Sequence, residues 1–176
     1  MRRGERAIRT ESICRTTISK SFAIGHRVQG AVVKYLLDTS IVSETRKPRP
    51  KSTTLERLGR HIGVSAICAP VWQEVLYGCE RLPRGKRRDD LEDHLTNVVR
   101  QFFPILPYDE AAASFHASER ARLERRGKTP AFVDRHWRSP SAIDGQIASI
   151  AAVRDLTLVT MNVEHFEPFD VRVERW

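Results

Sequence analysis

Short apolar runs alternate with amphipathic stretches from residue 33 onward, and this alternation restricts the fold more than any other feature of the sequence. Apolar runs of about four to eight residues are typical of buried strands, whereas apolar residues three and four positions apart are typical of helices. The predicted strands are 33–37, 63–68, 105–106, 156–160 and 171–173, and the predicted helices are 40–46, 55–60, 70–80, 88–102, 109–126 and 141–154. This order favours an α/β domain with a central, mostly parallel sheet flanked by helices.

Residues 1–32 do not share this pattern. Their apolar residues are scattered, and they contain no apolar stretch of the kind found in a secretory signal. We therefore predict an N-terminal extension over 1–32 and a folded domain over 33–176. The extension is either disordered or the result of a mis-assigned gene start, because Val33 opens the patterned region and a valine codon can start translation in bacteria.

Charge and cysteine content narrow the function without selecting one. The net charge of +8 suits a polyanionic partner such as RNA, but residues 1–32 supply +5 of it, so the domain itself is only mildly basic. Three cysteines, at positions 14, 68 and 79, form neither a disulfide framework nor a CxxC zinc site, which is typical of a reducing cytosol. No apolar stretch is long enough for a transmembrane helix, so we expect no membrane association.

Three acidic residues stand in apolar surroundings, where an ordinary surface charge would be out of place. Asp38 ends the first predicted strand, Glu74 lies in a mostly apolar helix, and Asp144 begins a helix with an apolar face. Active sites of open parallel sheets form beyond the carboxyl ends of the strands. Carboxylates that cluster there repel one another unless a cation compensates, and Mg²⁺, or Mn²⁺ in its place, prefers such oxygen ligands. A site of this kind suits hydrolysis of a phosphodiester bond.

Each acid taken alone also has a structural explanation. Asp38 can cap the following helix, Glu74 can be a solvated charge on an amphipathic helix, and Asp144 can complement a helix dipole. Other hydrolytic motifs do not compete, because the sequence has no Ser-His-Asp order, no P-loop lysine motif and no HExxH motif. The six histidines are scattered and suggest neither zinc nor a catalytic histidine pair.

Four segments resemble, in order along the chain, the motifs of PIN-domain proteins. They are Tyr-Leu-Leu-Asp-Thr-Ser at 35–40, then 64–67 with 72–78, then 143–151, and finally 158–166. A further segment, 82–88, resembles the linker of the FitB-like branch of VapC-type toxins. The resemblance covers 33–176 and implies a PIN-like fold.

The resemblance implies a bacterial, cytoplasmic toxin of a type II toxin–antitoxin pair. Such toxins are Mg²⁺-dependent endoribonucleases, usually homodimeric, inhibited by a cognate VapB-like antitoxin. By position, the residues that match the family's metal-binding and catalytic acids are Asp38, Glu74 and Asp144, and those that match its supporting hydroxyl residues are Thr39 and Thr160. Asn162 stands where many relatives have a fourth acid, which favours one well-occupied Mg²⁺ over two.

A basic cluster between two predicted helices is a candidate RNA-binding element. It consists of Arg84, Lys86, Arg87 and Arg88. These side chains can guide RNA phosphates toward the acids, or they can form a solvated loop that Asp89 and Asp90 neutralise locally.

Two other functions stay open on the sequence alone. A PIN-like module that binds RNA or protein with weakened catalysis is compatible with Asn162. A phosphatase of the haloacid dehalogenase class is suggested by Asp-Thr-Ser after a strand, but that class needs a second aspartate two residues on, where this chain has Ser40.

Overall fold

The computed structural model describes residues 32–126 and 142–176, which form a five-stranded sheet. The strands are β1 Tyr35–Leu37, β2 Ser65–Cys68, β3 Ile105–Leu106, β4 Thr157–Thr160 and β5 Val173–Arg175. Their order is β3-β2-β1-β4-β5, and every neighbouring pair is parallel. From β1 the chain adds β2 and β3 on one side, then crosses back and adds β4 and β5 on the other side. The direction of winding therefore reverses between β1 and β4. The predicted α/β class with a parallel sheet is confirmed.

Helices connect the strands and cover the sheet. Those of the described ranges are α1 Thr39–Glu44, α2 Ser52–His61, α3 Ala69–Glu80, α4 Lys86–His94, α5 Glu110–Arg125 and α6 Ala142–Val153. A π-helical turn, Leu95–Val99, and a short turn, Arg100–Phe102, continue α4. Local signals set two of the starts: Pro70 occupies the first turn of α3, and the Asp109 carboxylate accepts the Ala112 N–H at 3.1 Å to cap α5.

The observed elements differ from the prediction mainly at their ends. The last strand begins at Val173, two residues later than predicted, because Val171 N–H closes a turn onto Phe169 O and the first register partner of the strand is Leu158 opposite Val173. The second helix begins at Ser52, three residues earlier than predicted. The predicted extension lies outside the described residues except for residue 32, and so does residue 141 of the last predicted helix.

The apolar core lies on both faces of the sheet. Leu36 and Leu37 are adjacent in β1 and therefore point to opposite faces, yet both are fully buried. Other large side chains with almost no exposure are Ile41, Leu58, Ile67, Val71, Leu123, Ile147, Ile150, Leu158 and Phe166. Burial on both faces is the normal condition of a parallel sheet, and it leaves only the strand ends open to solvent chemistry.

Glu44, at the end of α1, is a charged residue in this apolar setting, with 1% of its surface exposed. Its Oε1 accepts the Lys51 N–H at 2.8 Å, and its Oε2 lies 2.5 Å from Lys47 Nζ. Burial alone raises the pKa of Glu44, but hydrogen bonds from Lys47 and Lys51 outweigh it and lower the pKa. The Glu44 carboxylate thus ties the proline-rich turn between α1 and α2 to the core.

Within the two described ranges, no helix combines the length and the apolar character needed to cross a membrane.

Candidate active site

Asp38 lies at the carboxyl end of β1 and caps α1. Only 6% of its surface is exposed. Its Oδ2 accepts hydrogen bonds from Ser40 Oγ at 2.7 Å, from Thr160 Oγ1 at 2.8 Å and from the Ser40 N–H at 3.3 Å. These three donors fix the orientation of the carboxylate, so Asp38 is a held group rather than a mobile surface acid.

The neighbouring ends of β1 and β4 are joined by hydroxyl groups. Asp38 N–H donates to Val159 O at 2.9 Å, which aligns the two strand ends. Beyond them, Ser40 Oγ and Thr160 Oγ1 lie 3.3 Å apart, and Ser40 Oγ accepts the Met161 N–H at 3.0 Å. The carboxyl ends of β1 and β4 are therefore held together at the point where the strand order reverses. Open α/β sheets bind their ligands at this position.

Glu74 reaches the same edge from α3. Thr39, the first residue of α1, donates a hydrogen bond from Oγ1 to Glu74 Oε2. Burial raises the pKa of Glu74, and the negative charges of Asp38 and Asp144 raise it further, against a lowering by the Thr39 hydrogen bond. Glu74 therefore lies within electrostatic reach of both Asp38 and Asp144.

Asp144 enters the site from the first turn of α6. Its carboxylate side chain is 16% exposed, and its Oδ2 lies 3.7 Å from His165 Nδ1. His165 belongs to a short 3₁₀ turn, Val163–His165, that follows β4. Asp38, Glu74 and Asp144, predicted from separate segments, therefore lie on the same side of the sheet within electrostatic reach of Glu74, and an imidazole lies beside Asp144.

The remaining predicted site residues take different positions. Thr39 and Thr160 are in direct contact with the acids, as described above. Asn162 joins the site through its backbone, whose N–H donates to Thr160 Oγ1 at 3.0 Å.

The basic cluster surrounds the start of α4 and divides into paired and unpaired members. Arg88 is held by Glu80 at 2.6 Å and by Glu92 at 2.7 Å, and Lys86 lies 3.3 Å from Asp90. Arg84 and Arg87 are exposed, and neither forms an ion pair with another residue in the described part of the chain.

The donor set fits a hard divalent cation. Among the described residues, no three His, Cys, Asp or Glu side chains are grouped closely enough, as placed, to hold a metal ion together. Mg²⁺ does not need such a grouping, because it keeps several waters and is usually held by one or two carboxylates. Burial, and after it the charges of Asp38 and Asp144, raise the pKa of Glu74, and a cation bound beside Glu74 would favour its charged form. An open group of three acids is therefore compatible with Mg²⁺.

Two residues of the site, Ser40 and His165, were not found from the sequence. Ser40 contacts both Asp38 and the backbone after β4, and His165 lies beside Asp144. A serine two residues after Asp38 gave one weak signal, since side chains at that spacing often bond to a capping residue. Nothing in the spacing of the histidines distinguished His165 from the other five.

Comparison with known proteins gives a consistent result. Residues 35–168 match the family model of the PIN domain. The chain is 31% identical over 144 residues to toxin FitB of Neisseria gonorrhoeae, covering 78% of this chain and 94% of that protein. It is 30% identical over 146 residues to the tRNA(fMet)-specific endonuclease VapC of Shigella flexneri, covering 82% of this chain and 99% of that protein.

Solved structures agree with the sequence relatives. FitAcB from Neisseria gonorrhoeae superposes with a TM-score of 0.68 at 30% identity, covering 79% of this chain and 95% of that one. DNA-bound VapBC from Salmonella typhimurium superposes with a TM-score of 0.66 at 26% identity, covering 82% and 99%. The similarity extends over nearly the whole length of these relatives.

Proposed function

The chain belongs to the PIN-domain family and within it to the VapC- and FitB-type toxin ribonucleases, and from this premise we propose that it is a Mg²⁺-dependent endoribonuclease. The proposal is supported chiefly by the arrangement at the reversal point of the sheet. Hydroxyl groups hold the carboxylates of Asp38 and Glu74 there, and Glu74 lies within electrostatic reach of Asp144. The substrate is RNA, and the bond hydrolysed is a phosphodiester.

The metal ligands in this proposal are Asp38, Glu74 and Asp144, with Mn²⁺ able to replace Mg²⁺. When bound, the ion supplies activation of water and stabilisation of charge on the phosphate. Ser40 and Thr160 hold the Asp38 carboxylate by hydrogen bonds, and Thr39 holds Glu74. These contacts fix the acids before substrate arrives, so little reorganisation is needed during the reaction.

Asn162 supports a site with a single well-occupied cation. Its backbone N–H bonds to Thr160, which anchors it at the edge of the site. An amide carbonyl can bind a metal-held water or ligate weakly, but it adds no negative charge to attract a second ion.

A direct experiment tests the proposed activity. The purified full chain, freed of any antitoxin, should cleave a mixed RNA pool in Mg²⁺, lose cleavage in excess EDTA, and regain it when Mg²⁺ or Mn²⁺ is restored. RNA binding without metal-dependent cleavage would contradict the proposal and support the binding module that Asn162 allows. Hydrolysis of a phosphomonoester instead of RNA would support a phosphatase.

RNA phosphates are proposed to contact the unpaired part of the basic cluster. Arg84 and Arg87, which have no ion-pair partner within the described ranges, can neutralise phosphates, whereas Arg88 is paired with Glu80 and Glu92. Replacing Arg84 and Arg87 by alanine should raise KM for RNA about fivefold and lower the salt dependence of binding by about one unit of log–log slope per lost contact, with kcat retained.

A matched control removes the same charge at the opposite edge of the sheet. Lys34 and Arg172 precede β1 and β5, and both are solvent-accessible. Alanine at these two positions should leave KM and its salt dependence unchanged. An equal effect of both double variants would mean that net charge, rather than a local contact, attracts the RNA.

The partners proposed are a VapB-like antitoxin and a second copy of the chain. The solved relatives named above include a FitAcB structure and a DNA-bound VapBC structure, which supports an antitoxin partner. A homodimer is supported by the exposed apolar face of α3, where Leu76 and Tyr77 are 39% and 58% exposed. The proposal places the complex in the bacterial cytoplasm.

A further inference from the structure

A histidine of α5 is pressed against the residue that follows Asp144. His116 projects from α5 toward Gly145 in the first turn of α6. A Cβ placed on Gly145 would overlap the His116 ring at Nε2, and its other close contacts would be ring atoms of the same histidine. The two helices therefore approach each other at this level only because residue 145 has no side chain.

The His116 ring is also fixed from its other side. Its Nδ1 lies 3.0 Å from the Tyr108 hydroxyl, and the two rings meet edge to face at 6.2 Å. Tyr108 stands between β3 and α5 and packs against the apolar core. With one nitrogen hydrogen-bonded and the other against Gly145, the ring has a defined orientation and cannot swing away without losing both contacts.

The first turn of α6 is tied down at the same residue by a second contact. Ser149, which is fully buried, donates a hydrogen bond from Oγ to Gly145 O at 2.6 Å. Gly145 is thus hydrogen-bonded to Ser149, one turn further along α6, and its approach to α5 is limited by contact with the His116 ring. Since Asp144 is the preceding residue, the position of its backbone follows from these contacts.

We propose that His116 is a positioning residue for the nuclease site: its ring, braced by Tyr108, sets the distance between α5 and the first turn of α6 and thereby the position of Asp144 relative to Asp38 and Glu74. The inference rests on the proposed function for its catalytic consequence. Its structural part, that close contact between the His116 ring and Gly145 sets the spacing of α5 and α6, stands independently of that function.

A double-mutant cycle tests whether the His116 ring and Gly145 act through their mutual contact. Gly145→Ala alone should displace α6 and lower kcat for RNA at saturating Mg²⁺ about tenfold or more, with KM changed less than about twofold. His116→Ala removes the ring, so the double variant H116A/G145A should recover to the rate of H116A. Effects that simply multiply would overturn the proposal. If G145A does not fold, folding of the double variant H116A/G145A supports the proposal. If neither variant folds, the proposal is overturned.

Amide hydrogen exchange on the metal-free full chain separates positioning from ordinary stabilisation. His116→Ala should speed exchange about tenfold in the first turns of α6 while α2 is unchanged. Leu123→Val, a packing loss further along α5, is the control: it should lower stability but leave kcat per folded molecule unchanged. If H116A instead speeds exchange equally throughout the chain, and kcat falls only in proportion to the folded fraction, His116 contributes to core packing alone and the proposal is wrong. Because exchange needs no RNA, a chain without nuclease activity refutes the proposed function alone.

Discussion

Replacing Asp38 by asparagine is expected to lower RNA cleavage by more than about a hundredfold while leaving the fold intact. Removing a residue that merely orients a metal ligand costs about 10- to 100-fold, so removing a proposed ligand's charge should cost more. The shape is kept, since an asparagine carbonyl can still accept the hydrogen bonds of Ser40 and Thr160.

The measurement is single-turnover cleavage of RNA at saturating Mg²⁺, with circular dichroism to verify folding. Asp155→Asn is the matched control, because it is the same chemical change at the opposite edge of the sheet. Asp155 has a φ of 55°, a conformation that asparagine also adopts, and its partner is the exposed Arg172. Full activity in Asp38→Asn would exclude Asp38 as a ligand, whereas an equal loss in Asp155→Asn would point to unfolding.

Replacing Glu44 by alanine is expected to lower the free energy of unfolding by about 2–3 kcal/mol. The Lys51 N–H would lose its hydrogen bond to a charged, fully buried acceptor, which is the larger part of the cost. The ion pair with Lys47 adds little, because the lysine side chain is 52% exposed and returns to water. Urea denaturation at neutral pH measures the change, and Glu56→Ala, which removes only a distant pair with the exposed Arg60, should cost less than about 0.5 kcal/mol.

The contribution of Glu44 also depends on pH in a defined direction. Its pKa in the folded chain lies below the ordinary value of 4.5, so the stabilisation is fully present above pH 4.5 and is lost as pH falls through the folded-state pKa. The stability difference between the wild-type chain and Glu44→Gln should therefore shrink in acid. A difference that stays constant down to strongly acidic pH would show that shape, and not ionisation, is what Glu44 provides.

Much of the fold could be predicted, and the three candidate acids could be selected, because each rests on a property of one short segment. Apolar spacing identifies a buried strand or a helix face wherever its neighbours lie. An acid at the end of such a strand, as at Asp38, or within such a helix, as at Glu74, is conspicuous against that background. The last strand was misplaced by two residues because its start depends on pairing with β4 and not on its own pattern.

Contacts between distant segments could not be predicted in this way. Ser40 meets the backbone of Met161 across 121 positions of sequence, and His116 reaches Gly145 from another helix. The same limit applied to the basic cluster: Arg88 forms ion pairs with acids on two helices, whereas Arg84 and Arg87 form none with any residue of 32–126 and 142–176. A run of basic residues is visible in the sequence, but the sequence does not show which of them form ion pairs with acids elsewhere in the fold.

The bond between Asp38 and Thr160 joins residues 122 positions apart and has a consequence for synthesis of the protein. A ribosome releases β1 and α1 early, and with them Asp38 and the Ser40 hydroxyl, but the second hydroxyl that holds Asp38, that of Thr160, arrives only with β4, near the end of translation. Until then Asp144 has not been joined to Asp38 and Glu74 either. If the proposed site is the cleavage centre, a growing chain would lack it in assembled form while still tethered to its own messenger RNA.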